Sequence, residues 1–347
     1  MSAASPALES SPVAPAPTPA TTNPPVARQS LVVSGLAVVA LALMTASYFL
    51  PMWWVSLTAP NYPADAFPDG IRIMFGFTGV SNGCTTAPKA SRLSQETQQE
   101  DLGWRSEEGA IDEKRDPKAK PEAVLDCMHE MNTINHYVGM HPIGVGAPVE
   151  RFMSPYLLAM LGVGLVAFAI GVRKARVVVL GVGFTAVIGW MAYELWGAGR
   201  LKAHVAVYMD EAGKYFREAE RIAQWGDSLT NAITIVFAVM VVIMVVLTVA
   251  SAKWEQFQLV LGALPALLPA IFVGAYAAWL YFFGHNLHPW GAFTVKPFMP
   301  TVFGDGKVAQ FSTHSYPTAG FALLVAVAVL CVVAVLRRRL ELVEGGR

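Results

Sequence analysis

The chain has 347 residues, 54% of them hydrophobic and only 14% charged, with Lys+Arg and Asp+Glu balanced at 25 each. Soluble domains carry about 25% charged residues, so this composition excludes a disordered chain, a nucleic-acid binder with a basic face and an ordinary cytosolic enzyme. The zero formal charge leaves no global field to attract a polyanion.

Residues 1–30 are largely Ala, Pro, Ser and Thr. Such a stretch cannot bury a core, which predicts a disordered tail. An uncharged apolar run follows from Leu31 to Leu50, and further runs cover Pro155–Val172, Val177–Trp196, Ala232–Ala250, Gln258–Phe283 and Thr318–Leu336. Each is long enough to cross about 30 Å of hydrocarbon as a helix. The expected fold is an all-α membrane protein with six transmembrane helices, its extracytoplasmic loops forming a small cap. The expected boundaries are a tail at 1–30, the first helix at 31–50, an outer loop at 51–153 with a polar insertion at 85–123, a five-helix region at 154–336 with outer loops 198–230 and 284–317, and a basic tail at 337–347.

Arg28, the Arg173-Lys174-Ala175-Arg176 connection, Lys253 and Arg337-Arg338-Arg339 all fall on one side if both termini are cytoplasmic, as the positive-inside rule asks. The long N-region and the bulky Tyr48-Phe49-Leu50-Pro51 exit favour an uncleaved anchor over a cleaved signal. The expected location is therefore a bacterial inner membrane, with the lipid bilayer as the first partner.

In the loop 51–153 the sequence counts 14 acidic and 9 basic residues, a weak attraction for cations. The segment 51–82 is apolar and aromatic, with Trp53 and Trp54 suited to the interface. Over residues 199–225, Val205, Tyr208, Ala212, Tyr215, Phe216, Ala219 and Ile222 recur at three- and four-residue steps, which predicts one amphipathic helix along the outer face or over the bundle. Gly304-Asp305-Gly306 reads as a turn between strand-like stretches, and these elements are placed to dock on 51–82. Pro265 and Pro269 predict a kink in the fifth span.

Apart from Glu194, no span interior carries Asp, Glu, Lys, Arg or His. Pumps need ionisable groups there and membrane haem needs histidines. No Cys-x-x-Cys-His and no phosphate loop occur, so neither haem nor a nucleotide is expected. No nucleophile–base pair or paired carboxylate stands out, and no enzyme is assigned.

All seven histidines fall on the outer side in this topology. Residues 127–141 gather Cys127, Met128, His129, Met131, His136, Met140 and His141, a set of thioether, imidazole and thiolate donors that suits Cu(I). On a helix, His136 and Met140 share a face, and His129, Met128 or Met131 would close a site with them; His141 adds a further imidazole, and His285, His288 and His314 form a second tier. The competing reading has Met as core filler and the histidines bonded to backbone carbonyls. For Cys127, a disulfide with Cys84 across the base of the insertion competes with metal ligation in an oxidising compartment.

The pattern Leu50-Pro51-x-Trp53-x-x-x-Leu57-x-Ala59-Pro60-x-Tyr62-Pro63, followed by Asn132-x-x-Asn135-His136-Tyr137-x-Gly139-Met140 and then by Lys307-Val308-Ala309-Gln310-Phe311 and Ser315-Tyr316-Pro317, resembles a family of bacterial multi-pass membrane proteins associated with copper and nitrous-oxide-reductase accessory genes. The resemblance covers about 35 residues in order along most of the chain and implies a shared fold and a link to copper, but no catalytic residue. The charged insertion before Cys127 departs from that family. The expected function is an inner-membrane accessory protein that handles copper through His and Met on the periplasmic face. The alternatives are a permease with a path past the fifth span and Glu194, and an assembly subunit whose loops dock a periplasmic or membrane partner.

Overall fold

The computed structural model describes residues 31–64, 67–84, 126–289, 291–292, 294–308 and 310–345. The tail at 1–30 and the insertion at 85–123 lie outside the described residues. Six helices are long and apolar enough to cross a membrane. They are α1 (Leu31–Tyr48), α3 (Pro148–Ala169), α4 (Arg173–Gly197), α6 (Ala219–Lys253), α7 (Glu255–His285) and α8 (Ala319–Gly345). Two shorter helices, α2 (Cys127–Tyr137) and α5 (Arg200–Gly213), belong to the cap.

Helix α3 is the hub of the bundle. Its most apolar stretch is 61% buried, against 22–28% for the other five spans, whose outer faces carry Val and Ile stripes such as Ile235, Val239, Val242 and Val246 on α6. Small residues permit this enclosure: a Cβ at Gly162 would stand 3.3 Å from Leu41, the close helix approach that replaces hydrophobic drive in lipid. In α7 the two prolines remove backbone donors, and the helix passes through a 3₁₀ turn at Leu264–Leu267.

The cap is not purely helical. Strands β1 (Trp53–Thr58), β2 (Ile71–Gly76), β3 (Gly79–Asn82), β4 (Gly304–Val308) and β5 (Phe311–Pro317) form one antiparallel sheet in the order β3-β2-β1-β5-β4. The expected all-α class is thus corrected to a helical bundle with a small sheet. The reason is visible in β5, where buried Thr313 and Ser315 alternate with the less buried His314 and Tyr316, so that one face turns inward and the other away. The expected turn at Gly304–Gly306 is also corrected, because these residues begin β4 and the reversal comes between Val308 and Phe311.

Trp53, 3% exposed, anchors the sheet. Its Nε1 donates to Ser315 Oγ at 2.8 Å, and its ring packs on Tyr276 and Phe272 of α7 and on Phe321 of α8. Burying such a side chain contributes about 3 kcal/mol. The same seam joins the first and last spans: Thr318 N–H donates to Met52 O at 3.0 Å and Gly320 N–H to Pro51 O at 3.1 Å.

At the opposite end, basic residues tie the helices together. Arg176, fully buried, donates to Glu255 Oε1 at 2.9 Å and to Gln258 Oε1 at 3.0 Å. Arg338 reaches the carbonyls of Phe168 and Ala169 that end α3, and Arg173 caps the carbonyls of Ala252 and Lys253.

The predicted helix over 199–225 is broken in two. It ends at Gly213, and α6 starts again at Ala219 and runs on as a membrane span. The break turns Phe216 inward, 2% exposed, and brings Glu218 to His288.

Candidate functional site

The Cys127–His141 segment folds as α2 followed by a tight turn. Asp126 caps the helix by accepting from His129 N–H at 3.1 Å, as short carboxylates do at helix starts. The helix ends at Tyr137, so His136 and Met140 do not share a helical face. Gly139 has φ +80°, in the left-handed region that a Cβ disfavours, and it redirects the chain.

The expected donors are therefore distributed. Met131, with Met128 against it, packs in an apolar cluster with Ile71, Ile73 and Cys127 under the sheet. Met140 packs in another cluster with Val145, Phe216, Ile222 and Phe283. His136 lies 6.0 Å from the Tyr215 ring, and His129 is exposed. His314, on β5, is hydrogen-bonded to Asp305 at 2.6 Å. Cys84 and Cys127 form a disulfide with a Cα–Cα distance of 6.0 Å, so neither offers a thiolate. Glu194 lies 4.0 Å from Arg200 and accepts from Trp190 Nε1 at the cap end of α4. Among the described residues no group of three or more His, Cys, Asp or Glu is placed to hold a metal ion.

Of the motif's asparagines, Asn132 acts through its side chain and Asn135 through its backbone carbonyl. Asn132 Oδ1 accepts from Ile143 N–H at 2.8 Å, and Asn135 O accepts from Met140 N–H at 2.7 Å. Gly139 then makes the docking contact of the third cap segment: its carbonyl accepts from His288 N–H at 2.6 Å, and a Cβ at Gly139 would stand 2.4 Å from His288 O.

This contact builds a cavity of about 430 Å³. Its wall takes His141 from the turn after α2, Arg221 and Trp225 from α6, Trp279, Phe283 and His285 from α7, and His288 from beyond it. The structure thus gathers three imidazoles from separate stretches of sequence. His141 is enclosed by rings, with Phe216 at 4.9 Å and Trp225 at 5.2 Å. Burial, reinforced by the nearby His288 and Arg221, pushes its pKa from 6.5 down to about 4, so it stays neutral at ordinary pH and keeps a lone pair. His285 Nδ1 donates to Tyr281 O at 2.9 Å. A carbonyl only accepts, which fixes the Nδ1–H tautomer and leaves Nε2 as the lone-pair atom. His288 Nε2 is 2.8 Å from Glu218 Oε1.

An aromatic-walled cavity with a few convergent polar groups is the usual form of a small-ligand site. In sequence His285 and His288 stand three apart at the end of the fifth span and would share a face if the helix persisted. The helix ends at His285, and convergence with His141 comes instead from the Gly139 docking contact. Arg221, Trp225 and Trp279 carried no motif. Their only trace was an aromatic and basic bias near the ends of two spans.

Comparison with protein-family models, with curated proteins and with solved structures finds no match for this chain. The six apolar helices make it a multi-pass membrane protein, and the function has to be argued from the site.

Proposed function

We propose that the chain is an accessory protein of a bacterial inner membrane that handles copper on its periplasmic face, at the His141 cavity rather than at His136 and Met140. The observation that carries this reading is that His141, held neutral by burial, and His285, whose Nδ1 donates to Tyr281 O, line the same cavity. A backbone carbonyl on the other ring nitrogen is the arrangement that orients histidine toward a metal, and imidazole suits copper. Met140 and Met209, in the apolar cluster beside the cavity, add soft donors nearby.

The orientation has independent support. The Cys84–Cys127 disulfide belongs in an oxidising compartment, and the Arg173, Arg176 and Arg338 cluster lies at the other end of the bundle, where cytoplasmic positive charge is expected. Both termini are then cytoplasmic.

The full chain, purified in detergent without oxygen, should withhold Cu(I) from the chelator bicinchoninate. His141→Ala should lose that competition while His136→Ala retains it. Equal behaviour of wild type and His141→Ala would refute the reading. A Lys307→Cys variant should react with a membrane-impermeant maleimide in intact spheroplasts, and Lys253→Cys should not.

A further inference from the structure

The lining of the His141 cavity sorts its hydrogen-bonding groups by kind, a cationic donor on one element and neutral acceptors on another. We propose that the cavity takes a small hydroxylated monocarboxylate of the sugar-acid type, with its carboxylate on Arg221 and its hydroxyls on His285 and Asn286. This ligand class stands apart from the copper reading, because it concerns the metal-free cavity.

The carboxylate follows from Arg221, the one permanent charge among the described lining residues. It stands in the first turn of α6, where a cation opposes the helix dipole, so helix stability does not explain its place. Its guanidinium lies over the Trp225 ring, 5.3 Å from the centroid. The acid one turn earlier, Glu218, lies outside the lining and is engaged by His288 at 2.8 Å, and Arg221 enters no ion pair among the described residues. A guanidinium backed by an indole keeps a planar fork of N–H donors, which matches a carboxylate in bidentate form. A single fixed positive charge suits a monoanion better than a phosphate dianion or a polycarboxylate.

The hydroxyls follow from the acceptors. His285 Nδ1 donates to Tyr281 O at 2.9 Å, which leaves Nε2 to accept. Asn286 Nδ2 donates to Phe282 O at 2.9 Å, and its Oδ1 is an acceptor too. Both residues are exposed and belong to the lining. A second carboxylate would meet them lone pair to lone pair, whereas a hydroxyl donates to them.

The aromatic part of the wall suits the carbon chain of such an acid. Trp225 and Trp279 line the cavity, and the Trp279 ring is held by its Nε1 bond to Glu150 Oε1 at 3.0 Å. C–H groups pack well on ring faces, which carry the negative side of the quadrupole. The volume of about 430 Å³ falls within the range of small-molecule sites.

Equilibrium dialysis of the chelator-treated full chain in lipid nanodiscs against radiolabelled D-gluconate, with empty nanodiscs as the blank, should show saturable uptake of one gluconate per chain. Unlabelled gluconate should compete, while sorbitol, benzoate and inorganic phosphate at the same concentration should not. Arg221→Gln, at an exposed residue, should weaken uptake by about tenfold or more, the scale of a hydrogen bond to a charged group. Arg221→Lys, with the charge but not the fork, should recover only part of it, and Asn286→Ala should lose about fivefold. Thermal melting of each variant reports its fold separately. No saturable uptake by wild type, or uptake by folded Arg221→Gln equal to wild type, would overturn the proposal. Competition by sorbitol, benzoate or phosphate as strong as that by gluconate would overturn it as well, since the cavity would then not read carboxylate and hydroxyls together. A chain that takes up gluconate but does not withhold Cu(I) upholds this ligand class while the copper reading falls. One that withholds Cu(I) but takes up no gluconate does the reverse.

Discussion

Gly139→Ala tests whether the docking of His288 on the turn after α2 organises the cap. The substitution has two separable costs. A residue with a Cβ at φ +80° is destabilised by about 1–2 kcal/mol relative to an ordinary conformation. The new Cβ would also stand 2.4 Å from His288 O, short of an ordinary C···O contact of about 3.3 Å by about 0.9 Å. Backbone lies on both sides of that contact, so the loop must move as a whole. Movement stretches the 2.6 Å bond from His288 N–H to Gly139 O, worth about 1 kcal/mol, and pulls His288 away from Glu218. The total is about 2–4 kcal/mol. Gly199 supplies an internal control: its φ is +70°, yet a Cβ there meets nothing within 4 Å, so Gly199→Ala carries only the conformational cost. At about 2–4 °C per kcal/mol, thermal unfolding in detergent should show a drop of about 5–15 °C for Gly139→Ala and clearly less for Gly199→Ala. Equal drops for the two variants would refute the claim that the close approach, rather than φ alone, fixes this glycine.

Three further outcomes are expected. Cys84→Ala/Cys127→Ala opens a loop of sequence separation 43, which the chain-entropy account values at about 4 kcal/mol; dithiothreitol on the wild type should reproduce the fall in melting temperature, and a change below about 1 kcal/mol would contradict it. His204 is half-buried against Pro148 O, to which its Nε2 is bonded at 2.8 Å, and desolvation holds its pKa below 6.5 despite that bond. The unfolded chain therefore takes up the proton first, so the contribution of His204 to stability is complete above pH 6.5 and is lost as pH falls below it; His204→Gln should flatten the stability profile between about pH 7 and pH 5, and unchanged slopes would count against the assignment. Arg176→Ala removes the donor to Gln258 Oε1 and one of the donors to Glu255, which keeps Gln258 Nε2 at 3.1 Å, and should cost about 2 kcal/mol, below the 3–5 kcal/mol of a wholly buried pair because the Glu255 side chain is 40% exposed. Urea titration of Arg176→Ala, with no loss against wild type, would show that this end is held by helix packing alone.

The Leu50–Pro63 and Ser315–Pro317 motifs prove to be the two sides of one seam, since Pro51 and Met52 carbonyls accept from Gly320 and Thr318 and β1 pairs with β5. Read in sequence they were two separate patterns, because strand pairing across more than 250 residues leaves no local periodicity beyond alternation. The helix over 199–225 was legible as amphipathic but not as broken. Its break depends on Phe216 and Glu218 finding partners in the distant segment after α7. Met131 and Met140 looked like ligands by residue type, and their burial in two different apolar clusters is a fact of packing that spacing does not encode.

Sequence alone determined the solvent and the count of spans. Runs of about 20 apolar residues are a one-dimensional property, and the thickness of hydrocarbon turns run length directly into a helix. It also determined which end of the bundle collects Arg and Lys and which stretches hold every histidine, since short loops inherit their side from the parity of the spans. Tertiary structure decided which histidines meet. His141 and His285 lie 144 positions apart and come to one cavity only because Gly139 admits the His288 backbone at a distance no other side chain allows. A site of that kind is set by three-dimensional closure between loops, and no spacing along the chain announces it.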